Sequence, residues 1–243
     1  MDIRDRVIIV TGASSGIGLA TARLLAQQGA KVALVARSQG RLAKLSRELP
    51  YSLAIKADMT KEDSVRGMIE TVFDHYGRID ILINNAGQGY DCPLEHVDVA
   101  KYRRLFELNV VGPLIAMQSV IPIMRRQGGG MIVNISSGTS LMYLPYMSAY
   151  SSTKRALNAL TLTAREELRE DNISVGVVYP YITLTDLDRN MMQGPGSDLE
   201  PVGEGDSDLP PPDSPEFVAE RILELIGSEE PEQYAHEWMR QLH

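Results

Sequence analysis

The sequence predicts an α/β fold: a doubly wound parallel sheet flanked by helices on both faces, forming a single domain over residues 1–243. Two observations carry this expectation. Short apolar runs of strand length alternate with stretches of helical periodicity. Strands that are apolar at every position need cover on both faces, which a parallel sheet between two helix layers supplies. A chain of 243 residues with 44% hydrophobic content also fits one such unit.

Taken in order, strands are expected at 7–10, 32–36, 53–57, 79–83, 131–135 and 174–178. Helical spacing separates them; Leu157, Leu160, Ala164 and Leu168, for example, share one face. The first strand runs into Thr11, Gly12, Ser14, Ser15, Gly16, Ile17 and Gly18, and then into a helical stretch to about Gln28. In a strand–turn–helix, glycines let a pyrophosphate approach the backbone, and the helix amino end offers unpaired N–H groups with partial positive charge. The alternation therefore reads as a Rossmann-type fold, with ligands beyond the carboxyl ends of the strands.

One segment differs in composition. Residues 194–215 hold six acids, six prolines and four glycines but no Lys or Arg, which reads as a solvated, flexible loop. Beyond it, Ser214, Pro215 and Glu216 read as an N-cap, a first-position proline and a first-turn acid, opening a helix that Gly227 is expected to close.

Composition excludes several classes. A net charge of −8 argues against nucleic acid as a partner. The one cysteine, Cys92, cannot form an intramolecular disulfide, and His75, His96, His236 and His243 are scattered, so no metal site is expected. Asp2, Arg4, Asp5 and Arg6 break any early apolar run. The most apolar helical stretch, 110–124, is interrupted by Gly112, Pro113, Gln118 and Pro122, and reads as too short and broken to span a bilayer. The expectation is a soluble, cytoplasmic protein.

The chemistry is carried by Tyr150 and Lys154. Their spacing of four puts both on one helix face, where an ammonium favours the phenolate of a side chain whose free pKa is about 10. That makes Tyr150 a candidate general acid/base. Thirteen residues upstream of it, after the apolar run 131–135, stand Ser136 and Ser137, where a strand end would release hydroxyls into a cleft. Together the glycine turn, the serines and the Tyr–Lys pair resemble the short-chain dehydrogenase/reductase family in its compact single-domain branch, over nearly the whole chain.

The resemblance implies carbonyl–alcohol interconversion with Tyr150 as proton donor and acceptor. Lys154 would hold the nicotinamide ribose and lower the Tyr150 pKa, Ser137 would bind the carbonyl oxygen, and Asn109 would hold a relaying water. It implies cofactor contacts at Gly12, Ser14, Ser15, Gly16, Ile17 and Gly18. Further contacts would come from Asp58, Met59, Asn85, Ala86, Gly87, Pro180, Thr183 and Thr185, with Tyr150 and Lys154. It also implies a homodimer or homotetramer and a substrate lid at about 186–215. Tyr181 stands where the family has glycine, which puts the local backbone in question.

Cofactor choice rests on the end of the second strand. No Asp or Glu occurs between Arg6 and Arg47, and Arg37 and Ser38 stand where an NAD site needs a carboxylate for the ribose hydroxyls. A guanidinium and a hydroxyl suit a 2′-phosphate, so NADP(H) is expected. The rival readings are an NAD-linked secondary-alcohol dehydrogenase and a non-catalytic dinucleotide-binding sensor; a sensor has no chemical need for the proton donor. Met142, Tyr143, Leu144, Met147 and Tyr181 are candidates for an apolar substrate pocket or, equally, for core.

Overall fold

A computed structural model describes residues 1–183, 191–196 and 210–242. Its first half runs β1 (Val7–Thr11), α1 (Gly16–Gln27), β2 (Lys31–Ala36), α2 (Gln39–Glu48), β3 (Leu53–Lys56), α3 (Glu62–Tyr76) and β4 (Ile81–Asn84). There follow β5 (Tyr90–Asp91), α4 (Val99–Phe106), α5 (Gly112–Arg126), β6 (Gly130–Ile135), α6 (Ser148–Glu167) and β7 (Ile173–Tyr179). Last come β8 (Met192–Gln193), α7 (Pro215–Ser228) and β9 (Glu232–Tyr234).

Seven strands form one wholly parallel sheet in the order β3-β2-β1-β4-β6-β7-β9. The order reverses between β1 and β4, the point beyond whose carboxyl ends such sheets bind ligands. Side chains alternate across the sheet. Val7 and Ile9 of β1 join one core with Val65, Ile69 and Val72 of α3 and Val120 of α5. Ile8 and Val10 join the other with Ala22 and Leu25 of α1, Leu42 of α2 and Ile222 of α7. Both faces are covered, which is why β1 is apolar from Val7 to Val10.

The structure corrects several expectations. The sheet gains β9 at one edge, and β5 pairs with β8 as a separate two-stranded sheet. Gly227 does not close α7. The helix runs on to Ser228, and Glu229 takes the left-handed position at φ 58°, while Ser214 caps the other end by accepting from the Phe217 N–H at 3.1 Å. Nor do the prolines break the stretch around α5, since helix is continuous over Val99–Arg126, 28 residues. A π-helical turn at Glu107–Val111 takes up the irregularity just before Pro113, whose missing N–H leaves no donor for a regular ladder. By length and composition that helix is enough to cross a membrane. Here its Ile115, Ala116, Met117 and Val120 are packed in the core. Of the expected lid at 186–215, residues 186–190 and 197–209 lie outside the described residues, as do Thr185 and His243.

One buried carboxylate ties the sheet's base together. Asp80, just before β4, accepts from the Val7 N–H at 2.8 Å, from Arg6 Nη1 at 3.0 Å and from Arg78 Nε at 3.0 Å. Burial pushes this carboxyl up, but the hydrogen bonds from Arg78, Val7 and Arg6 outweigh it and hold the group below the ordinary carboxylate range. Asp80→Ala should cost about 1–3 kcal/mol in denaturant unfolding, chiefly by orphaning the buried Val7 N–H. The two half-exposed guanidiniums simply turn to water. Because the folded pKa is depressed, the contribution is present above the unfolded value and is lost as pH falls through the folded one. The stability gap between parent and variant should therefore close only in acid.

Candidate active site

The glycine turn after β1 is held shut against the end of β4. The Thr11 hydroxyl donates to the Ile83 carbonyl at 3.3 Å and accepts from the N–H groups of Asn85 (2.9 Å) and Ala86 (3.0 Å). The Asn85 amide donates to the Thr11 carbonyl at 2.8 Å. Gly12 has φ +71°, and a Cβ there would lie 2.8 Å from Asn85 Nδ2. A Cβ on Gly18 would collide with the Gly12 carbonyl and the same amide. Only glycine fits at either position. Ser15 precedes α1 in extended backbone without a capping hydrogen bond, and the first turn carries no acid. The first N–H groups of α1 thus have no side-chain cap, with Ser14, Ser15, Gly16 and Ile17 half-buried around them, an arrangement that could hold an anion.

Beside this turn, Arg37 and Ser38 are exposed at the end of β2. Across from them, after β3, Asp58 Oδ1 accepts from the Thr60 N–H (3.0 Å) and hydroxyl (2.8 Å). Burial tends to raise the Asp58 pKa, yet these bonds and the nearby Arg37 charge hold it below the ordinary range. Met59 is 5% exposed and its side chain packs in the core, so a contact there falls to its backbone.

The other candidates converge between β4, β6 and α6. Lys154 is 4% exposed, and its Nζ donates to the Ile135 carbonyl at 2.8 Å. Desolvation lowers its pKa from 10.5 to about 8. Tyr150 lies one turn earlier, itself buried, with its ring centroid 5.8 Å from Lys154 Nζ. Asn109 sits in the π-helical turn and is buried rather than solvated. Its Nδ2 donates to the Gln88 carbonyl (3.0 Å) and Thr153 Oγ1 (3.1 Å), and its Oδ1 accepts from the Gln88 N–H (3.1 Å). A Cβ on Gly87 would stand 3.3 Å from Asn109 Oδ1 and 3.4 Å from Lys154 Nζ, so Gly87 marks where the two side chains meet.

Of the two serines, Ser136 does not open into the cleft; it is buried, with its Oγ 3.3 Å from that of Ser140. Ser137 is half-buried, and its Oγ accepts from the Thr139 N–H (3.2 Å) and hydroxyl (3.1 Å). That arrangement leaves the Ser137 proton to be donated elsewhere. Thr139, Thr153 and Gln88 were not legible as site residues, because each acts through a hydrogen bond that no spacing motif encodes. The Pro180 carbonyl accepts from the Gly138 N–H at 2.7 Å, joining the end of β7 to the turn after β6. Thr183 donates to the Tyr181 carbonyl at 2.9 Å and bridges to Asp213. Tyr181 has no positive φ, so the replaced glycine needs no special backbone. The expected apolar pocket divides: Tyr181 is buried with Tyr179, Tyr234 and Met239, whereas Tyr143 and Leu144 are exposed.

The short chain dehydrogenase family model matches residues 6–195. An uncharacterized oxidoreductase of Staphylococcus saprophyticus is 37% identical over 201 residues, covering 79% of this chain and 82% of that one. Among solved structures, the L-sorbose reductase of Gluconobacter frateurii, complexed with NADPH and L-sorbose, is similar at TM-score 0.82 and 31% identity, covering 93% of this chain and 91% of that one. The 3-ketoacyl-(acyl-carrier-protein) reductase of Brucella melitensis, complexed with NADH, is similar at TM-score 0.81 and 28% identity, covering 92% and 91%.

Proposed function

The chain belongs to the short-chain dehydrogenase family, and from that premise we propose that it is an NADPH-dependent oxidoreductase interconverting a carbonyl and a secondary alcohol. The observation that carries this reading is the buried lysine. A cation inside a protein is costly unless paired, and among the described residues Lys154 Nζ has one hydrogen-bond acceptor, the Ile135 carbonyl. Its remaining donors suit the ribose hydroxyls of a dinucleotide, whose pyrophosphate Gly12–Gly18 at the amino end of α1 would hold.

When bound, the nicotinamide supplies or takes up the hydride. The chain's own residues do the rest. Tyr150 gives its phenolic proton to the carbonyl oxygen in reduction and takes one back in oxidation. Ser137, its lone pairs occupied by Thr139, keeps its proton and donates a hydrogen bond to the same oxygen as charge develops there. Lys154, held by Ile135, stabilises the tyrosinate, and Asn109 fixes the Gln88 backbone beside Lys154 and Gly87.

NADP(H) is favoured because the exposed group at the end of β2 is Arg37, with Ser38 beside it and no acid there. Equilibrium titration with NADPH and NADH tests the assignment. Arg37→Ala should weaken NADPH by about 10–100-fold, the worth of charge-assisted bonds to a phosphate, and leave NADH nearly unchanged. Equal affinity of the unmodified protein for both would defeat it. A screen of ketones followed by NADPH absorbance tests the activity itself.

A further inference from the structure

The residue after Lys154 makes a second set of contacts. Arg155 Nε donates to the Ser140 carbonyl at 2.9 Å and Nη2 to the Met142 carbonyl at 3.2 Å. Its guanidinium also lies 4.4 Å from the centroid of the Tyr143 ring. Among the described residues this cation has no ion pair; it grips main chain and an aromatic face, using the planar fork that lysine lacks. One turn further along α6, Asn158 Nδ2 donates to Ser140 Oγ at 3.0 Å, and Ser140 Oγ donates to the Ser137 carbonyl at 2.7 Å. Ser137 is the residue that opens the short turn Gly138–Ser140. The helix that carries Tyr150 and Lys154 therefore holds, through Arg155 and Asn158, the turn that carries Ser137.

We propose that Arg155 is a positioning residue, fastening the Ser137 turn to the Tyr150 helix and so fixing the two hydroxyls relative to one another. The inference rests on the functional reading above. Three features favour it over general packing. Arg155 is half-buried, and its hydrogen bonds among the described residues go to this turn and the segment just beyond it. The turn is held on its other side by the Pro180 carbonyl, so loosening the Arg155 side leaves a pivot rather than a collapsed loop. Tyr143 is 89% exposed, so its ring is placed by the guanidinium and not by the core.

The test is a double-mutant cycle on the whole chain, with Ser137→Ala, Arg155→Ala and the double variant. NADPH is the reductant, and 4-nitroacetophenone and 2,3-butanedione are the carbonyl probes. Arg155→Ala should lower kcat roughly 10- to 100-fold, the scale of a displaced catalytic group, with KM and NADPH affinity little changed. In the Ser137→Ala background the same substitution should do almost nothing, because it acts through Ser137. Arg155→Lys keeps charge and bulk without the fork, and should fall between, also coupled to Ser137. Hydrogen exchange gives a readout independent of turnover: amides at 138–143 should exchange faster in Arg155→Ala, while those of α6 do not. Additive losses in the cycle, or unchanged exchange at 138–143, would overturn the inference with the functional reading intact. Full activity in Ser137→Ala would instead take Ser137 out of the mechanism and this inference with it, leaving the oxidoreductase reading standing; no reduction of either probe by the parent would count against that reading itself.

Discussion

Tyr150→Phe is expected to lower turnover about 10²–10⁴-fold, the usual worth of one general acid. The ring stays, so packing stays; Tyr150 is 5% exposed, and phenylalanine fills the same space. Dinucleotide affinity should also hold, because the glycine turn, Thr11 and Asn85 form a separate network. The loss should fall on kcat and kcat/KM alike, as befits an interaction made only while a proton moves. Two comparisons sharpen the result. Ser137→Ala should cost about 10²–10³-fold as a lost oxyanion-type donor, with its hydroxyl contribution partly dependent on Thr139. The thermal midpoint of Tyr150→Phe should match the parent's within the spread of a conservative substitution. Near-normal turnover by the folded variant on a substrate the parent reduces would remove Tyr150 from the mechanism.

How far the sequence reveals the molecule depends on which forces shape each part. The five central strands are legible because burial on both faces makes them mostly apolar, as in Ile8, Ile9 and Val10. The edge strand β9 is not, since three residues, Glu232–Tyr234, carry no period and pair on one side only. The spacing of Tyr150 and Lys154 survives as a shared helix face. What spacing cannot show is that Lys154 is dehydrated, because it is enclosed by the end of β6 and the loop at Gly87, both outside its own helix. Asn109 is hidden for another reason: a π-helical turn breaks the 3.6-residue period and moves the side chain from a solvated position to a buried one. Gly227 misled because glycine favours a helix end without requiring one, and the chain accepted the left-handed position at Glu229 instead.

Lys154 should show opposite pH trends in stability and in activity. Its ammonium is buried in the unliganded fold, and desolvation lowers the pKa from 10.5 to about 8. Below pH 8 both folded and unfolded chains carry the proton, and the fold bears the full desolvation cost, about 3 kcal/mol for a shift of this size. Between about 8 and 10.5 the folded chain releases the proton first, so stability rises with pH across that window; above it the cost is gone. Lys154→Met, which is similar in length and uncharged, should therefore be more stable than the parent near pH 7 by up to a few kcal/mol. That advantage is offset by whatever the Ile135 carbonyl loses, about 0.5–1.5 kcal/mol for one hydrogen bond, and it should shrink towards pH 10.5. Activity runs the other way. The charged lysine is the form that favours tyrosinate and binds ribose, so the variant should lose on the order of 10²-fold or more in turnover and bind dinucleotide more weakly. Unfolding curves for both proteins from pH 7 to 10.5, set beside titrations with NADPH, measure each arm. A variant less stable than the parent at pH 7 would mean that Lys154 is compensated in the unliganded fold. That would undercut the inference that its free donors await a ligand.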